Sequence, residues 1–251
     1  MLRITYVGHA TLLLELDGVR IPTDPVLRRH VGHLRRIVPL REPLPAGIRP
    51  NAILVSHIHM DHFHVRTLGR FRTDVAVLVP RGAAVWFLRS IGFLDVRAME
   101  EGSSLSIGAV RVHAVRARHV VLQAASRIVG PALGYLVEGS ASVYFAGDTD
   151  VYPTMSSLRG IDVALLPVAG WGSRLPEGSH MNPLRAAESL KLLQPRVAIP
   201  IHWGTFTRRW APGGNREHQT AAEQFRDYAA QLAPDVEVRI INPGEDLTLL
   251  L

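Results

Sequence analysis

The 251-residue chain contains no cysteine. That excludes disulfides and thiolate metal sites, and leaves histidine and carboxylate as the side chains able to hold a transition metal tightly. Lysine is almost missing too: of 28 basic residues only Lys191 is a lysine, a bias that reflects the base composition of a gene more than a choice of partner. No stretch approaches the roughly 20 apolar residues of a membrane span. Met1-Leu2-Arg3-Ile4-Thr5-Tyr6 lacks the charged-then-apolar order of a signal segment, so the expected location is the cytoplasm. Internal repeats, low-complexity tracts and linkers are absent, and with 47% hydrophobic residues the chain can bury a substantial core. One domain over residues 1–251 is expected.

What the chain does have is twelve histidines and a net charge of +6. The charge favours a small anionic substrate without identifying one. The histidines concentrate in Ser56-His57-Ile58-His59-Met60-Asp61-His62, directly after the apolar run Ile53-Leu54-Val55. If that run ends a buried strand, His57 and His59, two apart, leave the backbone on the same side, and Asp61 and His62 follow from the turn. Three imidazoles and a carboxylate within six residues repel one another if the imidazoles are protonated. Kept neutral, they are a ligand set for a borderline divalent cation such as zinc.

The rest of the chain repeats one device. Ile4–Val7, Thr11–Leu16 and Val19–Ile21 read as strands ending in Thr23-Asp24-Pro25. Asp24 there is either an acceptor for a ligand imidazole or a turn residue before proline, and His9 in Gly8-His9-Ala10-Thr11 is ambiguous in the same way. From Arg28 to Arg41 the chain is basic with no acidic residue, which suits a solvated loop or a rim that orients an anion. Ala76–Pro80 reads as a strand, and residues 82–90 as a short helix burying Trp86, Phe87 and Leu88. Val110–Val115 alternates as a half-buried strand, leaving His113 structural and delivering His119 beyond its end. The hairpin Leu133–Val137 and Ser142–Ala146 runs into Gly147-Asp148-Thr149. Asp162–Pro167 opens into a loop whose Trp171 suits a substrate-binding wall. Asn182 and Pro183 start a helix to Leu193, the strand Val197–Ile201 ends at His202, and a helix over about 216–232 with strands at 236–241 and 247–250 closes the chain.

Strands thus hand His57, His59, His119, Asp148 and His202 to loops at their ends, and in sheet-based α/β folds such ends converge. The count works for two metals: His57, His59 and His119 hold one, Asp61, His62 and His202 the other, and Asp148 bridges. The whole chain resembles the metallo-β-lactamase-fold hydrolases of the branch that includes N-acyl-phosphatidylethanolamine phospholipase D and the ascorbate-6-phosphate lactonases. The match lies in Gly8-His9-Ala10-Thr11, Thr23-Asp24-Pro25, His57 to His62, Gly147-Asp148-Thr149, His180-Met181-Asn182-Pro183 and His202-Trp203-Gly204-Thr205-Phe206. The resemblance implies an αββα sandwich with a dinuclear site at one edge of the two sheets. It departs after His119, where the small residue and arginine usual in phospholipase-like members are replaced by Val120 to Arg127, and where Val129 to Leu133 replaces a tryptophan-containing stretch.

Two cations, zinc first with manganese as the alternative, would bind a bridging hydroxide and polarise the oxygen attacked. Asp61 can orient that hydroxide or accept its proton. The resemblance gives His180 a catalytic part, expected at the leaving group or oxyanion; otherwise it merely precedes a capped helix. The expected function is hydrolysis of a phosphodiester, with a lactonase as the second reading. β-Lactam hydrolysis is disfavoured by the missing cysteine ligand. A nucleic-acid-binding module that keeps metal only for structure is the reading of another class, opposed by seven ligands for two ions, which leave coordination positions open. No stable nucleic-acid complex is expected, and a homo-oligomer remains open.

Overall fold

The computed structural model describes residues 1–40, 49–119, 121–123, 128–170, 178–208 and 216–251. Trp171 and Arg41 lie outside them. The apolar runs form two seven-stranded sheets. In the first the order is Glu245–Leu249, Leu2–Gly8, Thr11–Leu16, Val19–Thr23, Ala52–Leu54, Ala76–Pro80, Val96–Met99. In the second it is Glu237–Val238, Val197–Ile201, Val163–Pro167, Ser142–Phe145, Leu133–Glu138, Val110–Arg116, Ser104–Ile107. Each sheet is antiparallel at one side and parallel at the other. Parallel strands sit under helices and are covered on both faces. That is why Ala76–Pro80, Val163–Pro167 and Val197–Ile201 are buried at every position.

The inner faces share one core, with Leu2, Ile4 and Leu14 meeting Tyr135, Val143 and Phe145. The helix Ala83–Ser90 covers the outer face of the first sheet, and Pro183–Leu193 and Arg216–Leu232 that of the second. The result is the αββα sandwich of the metallo-β-lactamase fold. Hydrogen bonds between the two sheets include one at each end. Tyr135 Oη donates to the Val55 carbonyl at 2.9 Å, directly before the histidine stretch. At the opposite end Asp17, in the turn after Thr11–Leu16, accepts from both the amide and the hydroxyl of Ser140 at 2.6 Å.

Three parts differ from the sequence reading. Trp86 is 74% exposed, because Ala84 and Leu88, one turn apart, face the sheet and Trp86 lies between them on the far side. The stretch 236–241 keeps only Glu237–Val238 as strand. The basic segment is not simply a loop. His30–Val31 and Leu34–Arg36 form a small sheet with Phe206–Arg208, and Arg36 turns inward. Its guanidinium donates to the carbonyls of Val26, Val7 and Arg28 and lies 4.7 Å above the Phe206 ring. Burial brings it down to about 10.

Candidate metal centre

In both sheets the parallel strands end on the same edge, and the chemistry-bearing residues follow those ends. His57 and His59 lie past Ala52–Leu54, His119 past Val110–Arg116, Asp148 past Ser142–Phe145 and His202 past Val197–Ile201. His57 and His59 fall outside regular strand, yet their ring nitrogens come together, because the turn is closed by the amides of His62 and Phe63 bonding back to the His59 carbonyl. Asp148 reaches in because Gly147 has φ 59°; a Cβ there would run into the side chain of Ser56.

Beside the threesomes Asp24, His57, His62 and Asp148, His180, His202, two groups of four donors result. The first is His57, His59, His119 and Asp148; the second is His9, Asp61, His62 and His202. Within the first, His59 Nδ1 lies 2.9 Å from His57 Nε2 and 3.2 Å from His119 Nε2. Within the second, His202 Nε2 lies 3.2 Å from His62 Nε2. Asp148 stands between the groups. Its Oδ2 is 3.3 Å from His62 Nε2 and 3.8 Å from His57 Nε2, and its Oδ1 is 3.4 Å from His202 Nε2. His57, His62 and His202 are buried at the floor, while His59, Asp61 and His119 keep partial exposure and the His180 side chain is 3% exposed.

The outer ring nitrogens decide what the inner ones offer. His62 Nδ1–H donates to Asp24 Oδ2 at 2.7 Å. Ser56 donates its hydroxyl to the same oxygen at 2.6 Å and its amide to Asp24 Oδ1 at 2.7 Å, so its oxygen accepts from His57 Nδ1–H at 2.9 Å. His119 Nδ1–H donates to the Ser179 carbonyl at 2.6 Å and His202 Nδ1–H to that of Ala169 at 2.5 Å. With those protons placed, the Nε2 atoms of His57 and His119 turn lone pairs on His59 Nδ1, and that of His202 turns one on His62 Nε2. A proton carried by one nitrogen of each contact, or a cation held between them, reconciles nitrogens about 3 Å apart. The spacing suits a cation, since a tetrahedral ion with bonds of about 2.0–2.1 Å to nitrogen has ligand–ligand edges of about 3.3 Å.

Electrostatics point the same way. Burial, with help from His62, holds His57 well below the ordinary imidazole value, and burial also lowers His119 and His202. Those rings stay neutral, as ligands must. Burial pushes Asp148 up, but the imidazoles of His202, His62 and His180 outweigh it and keep the carboxylate ionised. For Asp61 the hydrogen bond from His9 and the charges around it do the same. His62 is the exception: burial lowers it, but Asp148, Asp24 and Asp61 around it win and raise it. Asp148 Oδ1 is buried without a hydrogen-bond partner, an arrangement that a divalent cation would satisfy. The residues present fit such an ion.

His180 joins the cluster from the far side, with Nε2 3.2 Å from Asp148 Oδ1 and Nδ1–H donating to the Met181 carbonyl at 2.8 Å. His113 stays apart, beside Glu138 at 2.6 Å. His9 was left ambiguous by its sequence, and nothing local distinguishes it. It is 1% exposed, with Nε2–H donating to Asp61 Oδ2 at 3.1 Å.

A family model described as the Beta-lactamase superfamily domain matches residues 19–203, from just before Asp24 to just past His202. A UPF0173 metal-dependent hydrolase of Methanopyrus kandleri is 32% identical over 251 residues, covering 97% of this chain and 98% of its own. The chain belongs to the UPF0173 family of metal-dependent hydrolases. A second member, from Rubrobacter xylanophilus, is 31% identical and covers 98% of this chain and 96% of its own. Among solved structures, a metallo hydrolase from Ignicoccus hospitalis superposes with a TM-score of 0.76 at 21% identity, covering 100% of this chain and 99% of its own. An isothiocyanate hydrolase from Delia radicum gut bacteria does so with 0.73 at 19%, covering 98% of each chain. These two likenesses speak to the fold. As a UPF0173 metal-dependent hydrolase, the protein carries along one edge converging groups of histidine and aspartate that could hold a metal ion.

Proposed function

We propose that this hydrolase is dinuclear and acts on phosphodiesters. One divalent ion is assigned to His57, His59 and His119, the second to Asp61, His62 and His202, with Asp148 shared. The observation that carries this reading is the position of Asp148, whose Oδ2 lies 3.8 Å from His57 Nε2 of the first set and 3.3 Å from His62 Nε2 of the second, with Oδ1 3.4 Å from His202 Nε2. Zinc is the proposed metal, and manganese suits the same ligand types. When bound, such a pair acidifies a water toward neutrality and lays positive charge beside the oxygen attacked.

The protein's own groups divide the remaining work. Asp61, partly exposed and fixed by His9, is placed to accept a proton from the attacking water. His180 has its Nδ1–H committed to the Met181 carbonyl, so Nε2 is the atom it turns to the site, where in its protonated form it serves the leaving oxygen. His57, His62 and His202 form a floor closed to solvent, so substrate approaches from the side of His59, Asp61, His119 and His180. The preference for a phosphodiester rests on the net charge of +6 and on Arg28, Arg29 and Arg35, which keep solvent exposure. Arg36 drops out of that rim because it is buried.

Elemental analysis of purified protein, with hydrolysis of bis(p-nitrophenyl) phosphate and of a simple lactone before and after chelation, tests the proposal. About two metals per chain and chelator-sensitive phosphodiester turnover are expected. Lactone turnover alone would move the assignment to a lactonase, in keeping with the other half of the branch the motifs resemble. One metal or none after reconstitution would overturn the dinuclear reading.

A further inference from the structure

His9 lies outside the segment matched by the family model and outside the ligand count above, yet nothing around it looks like ordinary core. Its φ of 62° is a left-handed conformation that a side-chain-bearing residue keeps only when its surroundings impose it. They do so with tertiary bonds. The His9 amide donates to Thr205 Oγ1 at 2.7 Å, and the His9 carbonyl accepts from the His202 amide at 2.8 Å. The same contacts lock the turn after Leu2–Gly8 in the first sheet to the turn after Val197–Ile201 in the second. Gly8 is required beside it: a Cβ there would lie 2.9 Å from Thr205 and 3.0 Å from Arg36. The ring is then held between two others, edge-on to Phe206 at 5.2 Å and over His202 at 3.7 Å between centroids. That leaves little freedom in where Nε2 aims, and it aims at Asp61 Oδ2, 3.1 Å away.

We infer that His9 is a positioning residue for the second metal: its Nε2–H holds one oxygen of Asp61, turning the carboxylate toward His62 and His202. This rests on the dinuclear reading. Asp61 needs such help more than the other ligands. It sits on a turn and is partly exposed, and its Oδ2 is still 3.9–4.0 Å from the Nε2 atoms of His202 and His62. A carboxylate with rotational freedom at the mouth of a site contributes less to affinity than one fixed by a hydrogen bond. Removing such outer partners of metal ligands lowers affinity by about 10- to 100-fold. The first group, His57, His59 and His119, serves as the internal reference.

Two substitutions separate positioning from folding. His9→Asn suits a left-handed backbone but is too short to reach Asp61; His9→Gln keeps a donor of longer reach. Metal-free protein is titrated with zinc alone and read by calorimetry and elemental analysis. We expect wild type to take two ions, His9→Asn to keep the first with unchanged affinity and bind the second about 10- to 100-fold more weakly, and His9→Gln to recover much of the loss. Unchanged affinity for both ions in His9→Asn would overturn the inference, as would loss of both ions together, the mark of a structural role. Loss of the second ion without recovery in His9→Gln would overturn it in favour of His9 as a direct ligand. Fewer than two ions in wild type would instead refute the dinuclear reading beneath it.

Discussion

Asp24 is completely buried and bonds to three donors, the Ser56 amide, the Ser56 hydroxyl and His62 Nδ1–H. Through them one carboxylate sets the tautomers of two ligand histidines. Replacing it with alanine strands all three donors at about 1–3 kcal/mol each, so Asp24→Ala should cost about 3 kcal/mol or more. For a protein of this size that is a fall in Tm of about 6–12 °C. Metal affinity should drop about 10- to 100-fold at the same time; thermal scans and a zinc titration check both. A variant with wild-type Tm and affinity would mean that the orientation of His57 and His62 comes from elsewhere. Asp24 and His9 mark where sequence legibility ends at this scale. The spacing of His57, His59, Asp61 and His62 is chemistry written locally, but a lone aspartate before proline and a lone histidine after glycine acquire meaning only from what lies 32 to 52 residues away.

Among the elements, the apolar runs were legible because buried parallel strands must be apolar throughout, and the helix Pro183–Leu193 because Asn182 caps it, accepting from the Arg185 amide. The helix Ala83–Ser90 was legible in position but not in orientation. Its apolar residues cover more of its circumference than one sheet can bury, so which of them face water is a tertiary matter. Trp86→Ser should accordingly leave stability within about 0.5 kcal/mol of wild type, as chemical denaturation will show, whereas a core tryptophan would cost several times that. The turn residue Asp17 makes the opposite case. Hydrogen bonds from Ser140 hold its carboxyl below the usual carboxylate range. A carboxyl lowered in the folded state stabilises above its unfolded pKa of about 3.9, and that stability is lost as pH falls through the folded value. Asp17→Asn, which tolerates the φ of 51°, should therefore melt below wild type at pH 7, and the gap in Tm should close in acid below about pH 3.9. A gap independent of pH would show that charge plays no part in this clasp.

For the molecule as a whole, the proposed ligands come from both sheets, so bound metal would tie the sandwich along one edge while Asp17 and Ser140 tie it at another. Chelation should lower Tm. Each ion at a hundredfold excess over its Kd stabilises by about 2.7 kcal/mol, or about 5–11 °C in a protein of this size. Differential scanning calorimetry with and without chelator measures it, and an unchanged Tm would mean that the protein as purified carries no bound metal. The layered architecture was legible through the family resemblance that the motifs carry, with which the order of apolar strands and helical stretches merely agreed. The small sheet joining His30–Val31, Leu34–Arg36 and Phe206–Arg208 was not, because Arg36 reads as a surface charge until the carbonyls that satisfy it are in view.

The pairing of Leu2–Gly8 with Glu245–Leu249 has a consequence in time. A chain made from its N-terminus at about 5–20 residues per second holds His57, His59 and His62 long before His202 exists, and the strand that delivers His9 gains its outer neighbour only when the last residues are made. Metal captured early would find half a site. Completion of the proposed second site therefore waits on His202 and on the docking of Leu2–Gly8 between its neighbours.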